Sequence, residues 1–248
     1  MYQWHDLNGD RLLQDNEWTF TPVDQTKVKA LWRIYAGNWV DDQLTFWTMS
    51  YNNQMLALQV KEWKGDVPIY EPFTEVEPLF PLEEIGSAYS GSALPGGDAL
   101  YLTRGSSFEN VPGRIEKRRL NGDLAWIYAR AHHGLQAPLP AAGDVPTPLQ
   151  WRSLSRTKSG LGVLLVNGYY GQYFLLETDG LYVGALCKDS RTGPKGGPDV
   201  VLMENFNGYF FRNKQNGKYY AFGGDTDARI WEVTGVDTLR KNIVSLTI

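Results

Sequence analysis

Residues 6–17, DLNGDRLLQDNE, place oxygen-bearing side chains at the intervals that calcium loops use. In a twelve-residue EF-type loop, the ion takes side-chain ligands from positions 1, 3 and 5, a backbone carbonyl from position 7 and a bidentate Glu from position 12. These positions hold, in order, Asp6, Asn8, Asp10, Leu12 and Glu17. The spacing therefore predicts one calcium ion bound in this loop.

Position 6 of the loop departs from the pattern, which places glycine there for a sharp turn. Arg11 occupies the position, and a positive φ costs a non-glycine residue roughly 1 kcal/mol. The alternative interpretation is an Asn-Gly hairpin turn with solvated acids around it. Flanking helices are not evident, so we expect a bound ion to stabilise a connection and not to switch a helix pair.

Two other groups of side chains are candidates for chemistry. His132 and His133 are adjacent, and neighbouring side chains on extended backbone point to opposite faces, so they form a weak metal pair. Asp225, Asp227 and Arg229 alternate, so on a strand they share one face and an acid can pair with the arginine. The alternatives are a structural or solvent role for the histidines and an ion pair at a sheet end for the acids.

Aromatic residues suggest a binding surface, because sugar rings stack on exposed aromatic rings. The chain has 9 Trp and 14 Tyr. The best candidates are Trp39 in AGNWVDD and Tyr169 and Tyr170 in NGYYGQYF, with Arg229 as a further ligand-binding candidate. Core packing is the alternative role for these rings.

Common enzyme signatures are absent from the sequence. It has no glycine-rich phosphate loop before a helix, no G-x-S-x-G, no H-E-x-x-H and no C-x-x-C. The single cysteine, Cys187, lies in the apolar run YVGALC and is interpreted as a buried small residue. We expect a non-catalytic binding module. The alternative is a glycan-active hydrolase or lyase that uses Asp225 or Asp227 with one of the paired histidines.

Charge and hydropathy exclude two kinds of partner. Lys and Arg total 24 against 28 Asp and Glu, a formal net charge of -4, so no basic field attracts nucleic acid or anionic lipid. The longest apolar runs, such as LGVLLV, are too short to span a bilayer, and the N-terminus has no signal segment. We expect no nucleic-acid partner and no membrane insertion.

Turn signals followed by aromatic or β-branched residues form a weak internal repeat. The copies are VDDQLTFW from Val40, GGDALYL from Gly96, ETDGLYV from Glu177 and QNGKYYA from Gln215. Each is typical of a tight turn that leads into an inner strand, and NGD at residues 121–123 indicates an outer hairpin. No long stretch has apolar residues at helical spacing, so the predicted fold is all-β.

Units of about 40 to 50 residues, each an antiparallel sheet, are typical of β-propeller blades. We predict a single β-propeller domain over residues 1–248, with about five or six four-stranded antiparallel blades. The predicted segments are 1–27 as a partial blade, 28–80, 81–133, 150–192 and 198–248, with 134–149 as a long inter-blade loop. The last strand, NIVSLTI, is expected to pair with the first, because open sheet edges invite aggregation.

Three runs carry a resemblance to a known group of proteins: NGKYYAFGGDTDARIWEVTGVDTLRK, NGYYGQYFLLETDGLYVGALCKD and WHDLNGDRLLQDNEW. Together they resemble the C-terminal propeller regions, with NHL-like repeats, of large bacterial proteins. The resemblance covers nearly the whole chain. It implies a propeller with a calcium loop of dockerin or EF-hand type inserted in a blade, and it implies no established activity. It also suggests either a partial propeller, as a fragment of a longer polypeptide, or an unusually short member of the group. We therefore expect a calcium-stabilised extracellular or cell-surface module of a longer protein, with a carbohydrate or a protein as its ligand.

Overall fold

The structure is a computed structural model that describes residues 2–20, 39–49, 54–71, 76–81, 92–104, 114–132, 138–194, 197–203, 207–224 and 228–242. In these ranges the protein consists of short strands and two three-residue 3-10 helices, Asp15–Glu17 and Val236–Thr238. The strands form small and mostly antiparallel sheets, which confirms the predicted all-β class. None of the helices in these ranges is long and apolar enough to cross a membrane.

The chain divides into two compact units, Met1–Trp151 and Arg152–Ile248. The strands of the first unit are β1 (Tyr2–Trp4), β2 (Trp18–Phe20), β3 (Trp39–Val40), β4 (Phe46–Met49), β5 (Gln54–Leu58), β6 (Val60–Lys64), β7 (Val67–Tyr70), β8 (Phe80–Pro81), β9 (Ser92–Gly96), β10 (Ala99–Arg104), β11 (Arg114–Arg119), β12 (Leu124–Ile127), β13 (Ala131–His132) and β14 (Val145–Pro146). Strand β15 (Pro148–Arg156) contains the boundary between the units. The strands of the second unit are β16 (Gly162–Gly168), β17 (Tyr173–Glu177), β18 (Tyr182–Leu186), β19 (Tyr209–Arg212), β20 (Tyr219–Gly223) and β21 (Arg229–Val233).

The first unit contains two four-stranded sheets. One has the order β3-β4-β5-β8, and the other has β9 to β12 in chain order. Strands β1 and β2 form a separate hairpin, as do β6 and β7, and β13 pairs with β14 in parallel. Trp47 and Met55 of the first sheet pack with Leu100 and Leu102 of the second. This packing buries apolar faces that neither sheet could bury alone.

The turn between β3 and β4 shows how a short polar segment directs the chain. Asp41 Oδ1 accepts the backbone N–H groups of Gln43 and Thr45, and its Oδ2 accepts the indole N–H of Trp47 at 2.8 Å. Burial by itself raises the pKa of Asp41, but these hydrogen bonds outweigh it and hold the pKa below its usual value. The paired acids of VDDQLTFW therefore include one carboxylate that organises the turn.

In the second unit, the sheet β15-β16-β17-β18 packs with the sheet β19-β20-β21. Every residue of β16 and β17 is buried, as expected for inner strands covered on both faces. Val163 and Leu175 of the first sheet share a core with Phe210 and Ala221 of the second. Propeller closure and the blade boundaries stay predictions, and the predicted closing strand lies outside the described residues from position 243 onward.

Tyr173 occupies a slot in this core that is formed by glycine backbone. A Cβ added to Gly223 would lie 2.2 Å from Tyr173 Oη, and one added to Gly208 would lie 2.7 Å from Cε1 of the same ring. The Tyr173 hydroxyl accepts the N–H of Gly224 at 3.0 Å. The ring therefore needs glycine at both neighbouring positions, because no larger residue leaves room for it.

We predict that Gly223→Ala lowers the free energy of unfolding by about 1–3 kcal/mol, because the new methyl group must displace the Tyr173 ring from a packed core. Urea unfolding followed by tryptophan fluorescence measures the change. Gly184→Ala is the matched control, because that strand glycine has no heavy atom within 4 Å of its Cβ position and no positive φ. The control should change stability by less than about 0.5 kcal/mol. Equal midpoints for the two variants would contradict a tight slot.

Candidate functional site

The acidic loop, residues 6–17, connects β1 to β2. These strands pair in antiparallel register, with Trp4 opposite Trp18 and residue 2 opposite Phe20. The N–H of His5 donates to the carbonyl of Glu17 at 3.0 Å and closes the base of the loop. Within residues 2–20 the only helix is the 3-10 turn Asp15–Glu17, so the loop joins two strands.

Asp6 organises the first half of the loop. Its Oδ1 accepts the N–H of Gly9 at 2.8 Å, and its Oδ2 accepts the N–H of Arg11 at 3.0 Å. These bonds wrap the backbone around the carboxylate, and Arg11 adopts a φ of 62°. The left-handed conformation that an EF-type loop requires at position 6 is therefore present at an arginine.

Glu17 closes the second half of the loop. Its side chain is almost fully buried, with 2% of its surface exposed. Oε1 accepts the N–H of Leu7 at 3.0 Å, and Oε2 accepts the indole N–H of Trp4 at 3.0 Å. The carboxylate at position 12 therefore reaches back across the loop to its first residues.

The tripeptide Asn-Gly-Asp occurs at residues 8–10 and again at 121–123, which allows a comparison within one chain. In both copies the Asn side-chain oxygen accepts the Asp N–H, at 3.0 and 3.1 Å, and the Asn amide donates to the Asp carboxylate, at 3.0 and 2.9 Å. This geometry therefore belongs to the turn itself. The contacts of Asp6 and Glu17 are what distinguish the acidic loop.

The oxygen atoms of the loop suit calcium by type, because the ion prefers carboxylate, amide and backbone carbonyl ligands. Asp10, however, is held by local bonds: its Oδ1 accepts the N–H of Leu12, and its Oδ2 accepts the amides of Asn8 and Gln14. In the described part of the chain, no three His, Cys, Asp or Glu side chains converge on one metal position. An ion would therefore have to draw Asp10 away from its amide partners.

Exposed aromatic rings lie directly beside the acidic loop. Residues opposite one another, and residues two apart on one strand, share a face of an antiparallel pair. Trp4, Trp18 and Phe20 are therefore on one face of the β1–β2 hairpin, with exposed fractions of 36%, 44% and 61%. We call these three residues the hairpin face, and the bond from Trp4 to Glu17 joins it to the loop.

The sequence analysis did not select the hairpin face. A sequence signal for it exists, because Trp4 and Trp18 flank the loop almost symmetrically and a closed loop must bring them opposite each other. Their exposure has no such signal. It depends on how the rest of the chain packs.

The aromatic residues that the sequence did select are more enclosed. Trp39 is partly buried and packs against the core that contains Trp47. Tyr169 and Tyr170 expose only 7% and 5% of their surface, with ring centroids 5.1 Å apart. The guanidinium of Arg191 lies 3.7 Å from the centre of the Tyr170 ring. Their ligand-binding roles stay predictions.

Arg229 contacts a neighbouring segment of the chain. Its Nη1 donates to the carbonyl of Gly197, and the indole of Trp231 donates to the carbonyl of Pro198 at 3.1 Å. Both contacts hold residues 197–198 against strand β21. A ligand-binding role for Arg229 stays a prediction.

The candidate catalytic residues are mostly outside the described ranges. Asp225, Asp227 and His133 lie there. His132 ends β13, where its backbone pairs in parallel with Pro146. The catalytic roles of these four residues stay predictions.

Comparisons with known proteins give little beyond this geometry. No family model matches the chain, and no curated protein matches it. The solved structures that match include a proposed oxidoreductase (glucose dehydrogenase) from Thermus thermophilus, with 10% sequence identity and a TM-score of 0.42. The match covers 81% of this chain and 62% of that one. A similarity this low supports no conclusion about activity.

Cys187 is the remaining side chain with nucleophilic chemistry. It is partly buried and packs against the core of the second unit. Burial raises the pKa of its thiol to about 12. The thiol therefore stays protonated at neutral pH, and the thiolate is the reactive form.

We predict that Cys187 in the folded protein reacts with a thiol reagent at pH 8 at least about 100-fold more slowly than a free cysteine, whose pKa is near 8.5. Absorbance of the released thiolate of Ellman's reagent follows the reaction. The same protein in urea is the control and should react at the free-cysteine rate. A native rate equal to the denatured rate would show an accessible thiolate.

Proposed function

We propose that this protein is a non-catalytic β-propeller module that binds carbohydrate on the hairpin face and is stabilised by calcium in the acidic loop. In this proposal it has NHL-like repeats and works at the cell surface or outside the cell, as part of a longer protein. The observation that carries the proposal is the Glu17 carboxylate, which contacts both the loop backbone and the Trp4 indole. One side chain thus links the ion ligands to the aromatic surface.

The sheet arrangement supports the propeller part of the proposal. Strands β9 to β12 form a four-stranded antiparallel sheet in chain order, and β15 to β18 form another. A propeller blade is a four-stranded antiparallel sheet of this kind. Packing between neighbouring sheets in each unit is also what adjacent blades require.

Electrostatics support the calcium part. Asp6, Asp10, Asp15 and Glu17 place four acidic side chains in twelve residues, with Arg11 as the only basic residue of the loop. A divalent cation would relieve their mutual repulsion. The need to rearrange Asp10 predicts weak binding, in the range of about 0.1 to 1 mM that extracellular calcium modules show.

Exposure and side-chain type support the carbohydrate part. Large aromatic rings are usually buried, because each buries about 150–250 Å² when it packs in a core. The hairpin face instead leaves Trp4, Trp18 and Phe20 open to solvent. Flat exposed rings match the apolar faces of sugar rings, and the bond to Glu17 fixes the orientation of one of them.

Two alternatives to carbohydrate binding remain: a protein ligand and an enzyme activity. A protein ligand would use the same exposed rings. The hydrolase or lyase alternative rests on Asp225, Asp227, His132 and His133, and no contact within the described residues favours it.

We predict that calcium raises the melting temperature, because an ion that binds only the folded state adds about 1.4 kcal/mol at ten times its Kd. For a chain of this size that corresponds to roughly 3–6 °C. Scanning fluorimetry in millimolar calcium and in chelator measures the shift. Asp10→Ala should abolish it, because a ligand oxygen is lost. Arg11→Gly should enlarge it, because glycine adopts the positive φ without strain and the change removes a cation.

Asp123→Ala is the matched control for Asp10→Ala, because it alters the same tripeptide turn without Asp6 or Glu17 nearby in sequence. Its calcium shift should equal that of the unaltered protein. If neither calcium nor chelator changed the melting temperature, the loop would be an Asn-Gly hairpin turn with solvated acids and no ion site.

We predict that Trp4→Ala combined with Trp18→Ala abolishes binding on a glycan array, because the variant removes both indole rings of the hairpin face. Trp63→Ala is the control: Trp63 is 56% exposed on the β6–β7 hairpin and should leave binding unchanged. Melting temperatures of all variants establish that they fold. Loss of binding in the control alone, or in none, would contradict the assigned surface.

A further inference from the structure

The second unit contains an open pocket of about 400 Å³, a size typical of small-molecule sites. One wall is the turn between β15 and β16, which contributes Lys158 and Leu161. The other wall follows the 3-10 helix Val236–Thr238 and contributes Leu239 and Arg240. The pocket therefore combines basic groups with apolar side chains.

A buried tyrosine joins the two walls. The Tyr219 side chain is 4% exposed. Its hydroxyl accepts the N–H of Lys158 at 2.8 Å and donates to Asp237 Oδ1 at 2.7 Å. The pKa of Asp237 is held below its usual value, first by this hydrogen bond from Tyr219. The spacing of the walls is thus fixed by a side chain from the core.

Two cations of the pocket are available to a ligand. Arg240 uses Nη1 to donate to the carbonyls of Asp237 and Leu239, at 3.1 and 2.9 Å, and among the residues that the structure describes its Nε and Nη2 have no hydrogen-bond acceptor. Neither Lys158 nor Arg240 forms a salt bridge with a carboxylate in the described ranges. Lys241 differs, because its ammonium group pairs with the carboxylates of Glu177 and Asp179.

We propose that this pocket binds a small organic anion, which carries a carboxylate, sulfate or phosphate group on a carbon skeleton. The lining has three basic side chains and one carboxylate, Asp237. Arginine and lysine together suit an oxyanion, because the guanidinium donates in a fixed plane and the ammonium adds a point charge. Leu161 and Leu239 offer apolar contact that an inorganic ion cannot use. The lining residues all belong to the second unit, and the proposal does not depend on the role proposed for the hairpin face.

Isothermal titration calorimetry of the full chain with matched probes tests the proposal. Glucuronate and glucose 6-phosphate are the organic anions, glucose is the neutral match, and sodium sulfate is the inorganic anion. We expect at least one organic anion to bind about tenfold or more tightly than glucose and than sulfate, and to weaken when salt rises from about 0.05 to 0.5 M. Equal weak binding of all four probes, or tightest binding of sulfate, would overturn the proposal.

Variants then locate the binding site. Lys158→Ala combined with Arg240→Ala should weaken the bound anion by about tenfold or more, since both charge-assisted contacts are lost. Lys214→Ala is the control, because Lys214 is exposed in the turn between β19 and β20 and does not line the pocket. Asp237→Asn should instead tighten binding about threefold to tenfold, because it removes a like charge and keeps an acceptor for Tyr219. An unchanged affinity in all three variants would place the anion elsewhere.

Discussion

The Tyr173 ring lies between two glycine backbones, and the core of the second unit is assembled around that contact. Strands β16 and β17 are buried on both faces, so their side chains must fit against the sheet β19–β21 without voids. Only the absence of side chains at Gly208 and Gly223 admits the ring. The same requirement, that narrow sheets bury one another, also accounts for the packing of Trp47 with Leu100 in the first unit.

Both candidate sites are built on connections between strands. The acidic loop joins β1 to β2, and its two ends are held together by the Glu17 carbonyl and the strand pairing. The pocket of the second unit begins at the turn after β15 and is spaced by Tyr219, which projects from β20. Sheets supply rigid anchor points, and the polar side chains of the connections supply the chemistry.

Turn chemistry is local, which is why the sequence predicted it well. The Asn-Gly-Asp signal at residues 121–123 does connect β11 to β12, and the turn at the start of GGDALYL leads into β10. Positive φ at Arg11 also follows from the spacing of the loop.

The solvent exposure of a side chain, in contrast, is not a local property of the sequence. The sequence favoured Tyr169 and Tyr170 over Trp4 and Trp18 for surface stacking, and the described structure buries the tyrosines while it exposes the tryptophans. The pocket was missed because Lys158 and Arg240 are far apart in the chain. The segments that carry them come together where Lys158 N–H and the Tyr219 hydroxyl both contact the Asp237 carboxylate.

The duplicated Asn-Gly-Asp turn has an evolutionary implication. At residues 121–123 it closes an ordinary hairpin, and at 8–10 the same hydrogen bonds recur inside a longer loop. The loop at 8–10 has two further acids. Asp6, before the turn, accepts two backbone N–H groups, and Glu17, after it, accepts the N–H of Leu7. A hairpin can therefore acquire the ligand spacing of an ion site by lengthening one connection and gaining two carboxylates, with its turn unchanged throughout.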